Sequence, residues 1–111
     1  MAEKIKKNLK QKVYKKFAER HPQIISSVEA LGETIRSTGP IDKKTSHLIQ
    51  LAAAAAIQSE GSVNSHAKRA FEAGATHAEI EHALIMLISV IGFPRVAAAL
   101  SWVYDLIETD A

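Results

Sequence analysis

The residues best placed for chemistry in this sequence lie between positions 57 and 74, in IQSEGSVNSHAKRAFEAG. Ser59, Ser62 and His66 follow one another at i, i+3 and i+7, which lines them along one face at the start of a helix. A helix start presents unpaired N–H groups and a partial positive charge, so it holds anions. An imidazole one turn inward can give or take a proton from whatever is bound there. Glu60 and Asn64 belong to the same polar run, and His47 stands about three turns before Ser59. This set suits acid–base work on a small anionic molecule. His66, His47 and Glu60 are the candidate catalytic residues, and Ser59, Ser62 and Asn64 the candidate substrate-binding ones. Each has a plainer reading beside this one: serines are ordinary helix-start residues, a carboxylate there is a cap, and a histidine on a helix is commonly a satisfied structural group.

Two other constellations are weaker. His47, His66 and Glu60 are acceptable metal-ligand types, but no short His-x-x-x-His spacing enforces a site, and no metal or cofactor is expected. Ser62 and His66 could form a nucleophile–base pair at i, i+4, yet no third orienting group or oxyanion loop accompanies them. His77 and His82 do not pair as ligands. Phosphate-cradling glycine loops, dinucleotide fingerprints and EF-hand loops do not occur.

The elements that must position these groups read as helices throughout. Ile24, Ile25, Val28, Leu31 and Ile35 recur at helical spacing between Pro22 and Gly39-Pro40. Asp42 is a candidate N-cap for a helix running through HLIQLAAAAAIQ to about Ser59, and Glu60-Gly61 breaks it. SVNSHAKRAFEAG forms a short helix with Gly74 as its C′ residue. Thr76 and Glu79 make a capping box that opens HAEIEHALIMLISVIG. Gly92-Phe93-Pro94 then turns the chain into RVAAALSWVYDLIE. The expectation is an all-α, compact multi-helix single domain over residues 1–111 with a helical hairpin at its core. Even with the hairpin folded back sharply, His66 is expected nearer Ala53 or Ala54 than His47. Contact between the histidines then requires strong helix crossing, a bridging water or a neighbouring subunit.

Composition sets outer limits. The 111 residues contain no cysteine, which excludes disulfides, thiolate metal sites and thiol redox chemistry. Few aromatics and much alanine favour closely packed helices. Leu51, Ile57, Phe71, Leu84, Leu87 and Trp102 are expected to seal the gaps between them. ALIMLISVIGF, residues 83–93, is apolar on nearly every face, so burial all round in a homo-oligomer is expected. That stretch is too short to span a bilayer, which needs roughly 20 residues. With no signal-like segment at the start, a soluble, cytoplasmic protein is expected, with no membrane partner. Residues 1–20 carry eight Lys or Arg against Glu3 and Glu19, a local +6 in a chain of net +2. Ile5, Leu9, Val13 and Phe17 recur there at i+4, so a basic amphipathic helix is expected, its lysines forming a solvated face and not a nucleic-acid site.

The stretch 41–103 resembles the carboxymuconolactone decarboxylase and alkyl hydroperoxidase D family. The resemblance rests on HAKRAFEAGAT, on AEIEHAL after it and on GFPRVAAAL. It implies an all-helical fold that assembles as a trimer or hexamer with its site near subunit contacts. Peroxidase-type members carry a glutamate, then a Cys-x-x-Cys pair, then a histidine. Carried onto this chain, those positions fall on His47, on Ser59 and Ser62, and on His66. Only the histidine is retained, so the resemblance does not imply a thiol peroxidase cycle here. Decarboxylase-type members lack the cysteine pair and keep the histidine. The expected function is accordingly lyase-like chemistry on a small carboxylated lactone or related acid, with His66 transferring the proton. The alternative is a non-catalytic small-molecule-binding or oligomeric scaffold.

Overall fold

The structure, a computed structural model, describes residues 13–110, with side chains as far as residue 108. All regular elements among the described residues are helices. They fall into two compact units, one ending at Pro40 and the other beginning at Ile41.

The first unit holds α1 (13–20) and α2 (Pro22–Ser37). The expected basic helix over 1–20 lies partly outside the described residues. Pro22 stands at the start of α2, where its missing N–H costs nothing. The Oγ1 of Thr38 and the Oγ of Ser37 donate back to carbonyls of the last turn before Gly39-Pro40. The Tyr14 hydroxyl donates to Glu29 Oε1 at 2.9 Å, so α1 folds back along α2.

The second unit holds α3 (Lys43–Ala56), α4 (Glu60–Glu72), α5 (His77–Ile85), α6 (Ile88–Ile91) and α7 (Phe93–Asp110). Asp42 caps α3, its Oδ1 accepting from the Thr45 N–H at 2.8 Å. α3 and α4 form the expected hairpin and pack through Leu51, Ala54, Ala55, Val63, Ala67 and Ala70, all buried. Ile80 and Leu84 of α5 and Ala99 and Val103 of α7 complete the core.

Two helix ends share one device. At the end of α4, the Gly74 N–H bonds to Phe71 O and the Ala75 N–H to Ala70 O, with Gly74 at φ +105°. This is the crossed closure that a left-handed C′ residue makes possible. α3 ends identically: the Gln58 N–H bonds to Ala55 O and the Ser59 N–H to Ala54 O, with Gln58 at φ +57°. The expected break at Glu60-Gly61 is therefore corrected. The turn lies at Ile57-Gln58, and Glu60 and Gly61 are already inside α4.

Two further expectations change. The helix opened by the Thr76–Glu79 capping box does not run to Gly92 but turns at Met86-Leu87 and resumes as α6. Within the single chain, Ala83 and Leu84 are buried and Ile85, Met86, Ile88, Val90 and Phe93 are exposed, which leaves the burial expected for residues 83–93 in a homo-oligomer to an assembly of several chains. Of the expected gap-sealing residues, Leu51 and Leu84 are buried and Leu87 and Trp102 pack against the core. Ile57 is 76% exposed at the hairpin turn, and Phe71 is exposed on α4, where its ring stacks on His77.

Glu79 also joins α3 to α5. Its Oε1 accepts from the Thr76 N–H and its Oε2 meets Lys44 Nζ at 3.1 Å. The Thr76 backbone hydrogen bond, with Lys44 second, holds its carboxyl below the usual carboxylate range. A carboxyl lowered in the folded state contributes stability above its unfolded-state pKa and loses it as pH falls through the folded value.

Two measurements check these points. A non-glycine residue in the left-handed region costs about 1–2 kcal/mol, partly offset by the extra entropy glycine loses on folding. Gln58→Gly should thus raise the urea-unfolding free energy by about 0.5–1 kcal/mol. Glu79→Gln should lower the urea midpoint at neutral pH. Its gap to wild type should close on acidification, because protonated Glu79 has lost what glutamine also lacks.

Candidate functional site

The hairpin brings His47 and His66 into direct contact within one chain. Their Nδ1 atoms are 3.4 Å apart, with ring centroids at 5.7 Å and ring planes inclined at 37°. The contact is at the long end for a hydrogen bond, and it constrains the tautomers. As a hydrogen bond it requires one Nδ1 to carry the hydrogen and the other to accept it, so the tautomers of the two rings are linked.

This corrects the expectation that His66 lies nearer Ala53 or Ala54. With the apex at Gln58, His66 is eight residues beyond it and His47 eleven before it. The offset of three residues is about 4.5 Å along the helix axis, within the reach of two imidazole side chains. Neither a second subunit nor a bridging water is needed.

Burial divides the pair. His47 is 1% exposed and lies in the same stripe of α3 as Leu51, Ala54 and Ala55. His66 is half-buried on α4 and is the member that a molecule outside the fold can reach. Gln50 is one turn on from His47, half-buried, and level with His66 by the same count from the apex. Gln50 lies outside the polar run around His66 in the sequence, and only its i+3 spacing from His47 marks the shared face.

The remaining candidates separate. At about 100° per residue, Ser62 and His66 stand on one flank of the buried stripe formed by Val63, Ala67 and Ala70. Glu60 and Asn64 stand on the other flank, so the polar residues of α4 do not form one cluster. Ser59 is the N-cap of α4, but its side chain makes no capping hydrogen bond. Glu60 is the first helical residue and not the cap. Its carboxylate sits favourably in the positive first turn, where an anionic ligand would also come. The Oδ1 of Asn64 is buried without a hydrogen-bond partner. Among the described residues, no group of three or more His, Asp or Glu side chains is placed to hold a metal ion.

The arrangement sets two imidazoles in contact beside a helix start. Ser62, on the His66 flank, is about 6 Å nearer the N-terminus along the axis. A small molecule with its negative charge at the first turn of α4 could extend along that flank to His66.

The carboxymuconolactone decarboxylase family model matches residues 22–105, from the start of α2 well into α7. A similar solved structure is the apo form of a carboxymuconolactone decarboxylase family protein from Legionella pneumophila. It is 27% identical, with a TM-score of 0.70, and the match covers 89% of this chain and 90% of that one. No curated protein matches the chain. A family model that matches most of the sequence, together with a fold shared over nearly its whole length, shows that the chain belongs to the carboxymuconolactone decarboxylase family.

Proposed function

We propose that this chain carries out lyase-like acid–base chemistry on a small carboxylated lactone or related acid, with His66 as the proton-transfer residue. The observation that carries the reading is the 3.4 Å contact between the Nδ1 atoms of a buried and a reachable histidine. His47 accepts the Nδ1 hydrogen of His66. That fixes the His66 ring, directs its Nε2 to substrate and stabilises the imidazolium form, as the third member of a catalytic triad does for its histidine. His47 is thus a positioning residue.

In a decarboxylation the bond between the carboxylate carbon and its neighbour breaks, carbon dioxide leaves, and the electron pair stays on the substrate, delocalised toward the lactone carbonyl. A proton from His66 Nε2 then closes the product, leaving His66 neutral with its hydrogen on Nδ1. The first-turn N–H groups of α4 hold a carboxylate, and Ser62 hydrogen-bonds the substrate on the same flank. Glu60 and Asn64, on the opposite flank, bind substrate only at the first turn or through its far end. The absence of cysteine leaves no route to a dithiol peroxidase cycle in these 111 residues.

A thermal-shift series of small lactones and dicarboxylic acids on wild type, His66→Gln and His47→Gln, followed by carbon dioxide release for each binder, tests this. A ligand at ~100 times its dissociation constant stabilises by about 2.7 kcal/mol, several degrees for a domain of this size. Wild type should turn over a carboxylated binder. His66→Gln should abolish turnover with helical content unchanged, and His47→Gln should lower kcat more than it raises KM. Full turnover by His66→Gln overturns the assignment. Binding by wild type without chemical change favours a scaffold.

A further inference from the structure

Arg69 differs from the other arginines. Among the described residues Arg20 and Arg95 are exposed, and Arg36, half-buried, meets Glu33 at 3.6 Å. Arg69 is half-buried as well, yet among the described residues no hydrogen bond or ion pair engages its guanidinium. Glu72, three residues further along α4, is exposed and does not pair with it. A guanidinium keeps its charge when buried, so it cannot escape the cost of leaving water by losing a proton. An anion beside it offsets that cost. Arg69 lies in the last turn of α4, where a cation suits the negative helix end. An exposed side chain serves that end equally well, so the helix dipole does not account for the burial.

The place of Arg69 on α4 says where the anion comes from. Ser62, His66 and Arg69 stand at i, i+4 and i+7, within about 60° of one another round the helix and on the same flank of the buried stripe. Arg69 is about 4.5 Å beyond His66 along the axis. Helical side chains lean toward the N-terminus, so one as long as arginine at this position lies over the turn that carries His66. Counted from Gln58, Arg69 is level with His47, as His66 is with Gln50. A hydroxyl, an imidazole and a guanidinium thus line one flank, all within the second unit.

We propose that Arg69 is a substrate-binding residue. Its guanidinium takes, through two parallel N–H···O bonds, a carboxylate of the molecule whose reacting carbon lies beside His66 Nε2. The inference rests on the reading of the His66 flank as the substrate side. A carboxylate gripped by two charged donors is stabilised as an anion and held back from leaving as carbon dioxide. The group at Arg69 is therefore one that the substrate keeps. Arg69 selects which molecules are held at His66 and takes no part in moving the proton.

Two probes alike in shape and different in charge test this: γ-butyrolactone carrying a γ-carboxylate, and the primary amide of the same acid. Titration calorimetry on wild type should give the carboxylate a dissociation constant about tenfold below that of the amide, the size expected of a charge-assisted hydrogen-bonded pair at a half-buried site. Arg69→Gln should bring the two constants together, with amide affinity and circular dichroism unchanged; a purely structural role would weaken both probes alike. Arg69→Lys, charged but without the planar fork, should keep part of the preference. His66→Gln should keep all of it even where turnover is lost, so the failure of the proton-transfer assignment and the failure of this one are read separately. Three outcomes overturn the proposal: no preference for the carboxylate in wild type, a preference that Arg69→Gln retains, or an equal weakening of both probes in Arg69→Gln.

Discussion

Alanine at the facing positions of α3 and α4 sets how far apart the two helices lie, and that distance decides whether His47 reaches His66. Ala54, Ala55, Ala67 and Ala70 are all buried where the two helices pack. Side chains this small let the backbones approach closely, and larger ones at the same places would hold the axes apart. Leu51 and Val63 supply the bulk that fills the layer beside the histidines. The histidine contact is thus a product of packing: two imidazoles bridge the space between axes drawn together by residues with no chemistry of their own.

The hairpin turn fixes the second coordinate, the slide of one helix along the other. α3 ends at Ala56, capped by Ile57, with both crossed hydrogen bonds made, and this closure requires a left-handed residue at position 58. Glutamine meets that requirement at a cost that glycine would not incur. Moving the turn to Glu60-Gly61 would lengthen α3 by about a turn and change the level at which His66 passes α3. Asp42 at the start of α3 and the Thr76–Glu79 box at the start of α5 fix the outer ends of the same assembly, and the Lys44–Glu79 pair joins them.

Much of this frame is legible in the residues. Asp42, Thr76 with Glu79, Pro22 and Gly74 each act locally, through a hydrogen bond or a dihedral preference that a short window of sequence specifies. Gln58 is not legible in this way. Its conformation is one that glycine marks, and the nearest glycine, Gly61, lies inside α4. The interruption at Met86-Leu87 is hidden for a similar reason: ALIMLISVIGF has strong helical composition and no breaker before Gly92. The candidate site divides along the same line. Ser62 and His66 are readable as neighbours because i, i+4 spacing is a property of one helix. The approach of His47, and the separation of Glu60 and Asn64 to the other flank, depend on where the hairpin turns and which face of α4 is buried.

The resemblance places His47, Ser59, Ser62 and His66 at the glutamate, the two cysteines and the histidine of the family's peroxidase-type members. The change of residue types alters what the constellation can transfer. Two serine hydroxyls at thiol positions cannot store a pair of electrons as a disulfide, so the reducing step has no carrier. Imidazole in place of carboxylate changes the partner of His66 from a fixed anion to a group that can be neutral or cationic. A carboxylate would stabilise a charged His66 by attraction alone. His47 can do so only while its own Nδ1 is unprotonated, because two N–H groups cannot face each other across 3.4 Å. In the proposed reaction, His66 gives its Nε2 proton to the carbanion left by loss of carbon dioxide while its Nδ1 hydrogen stays directed at His47.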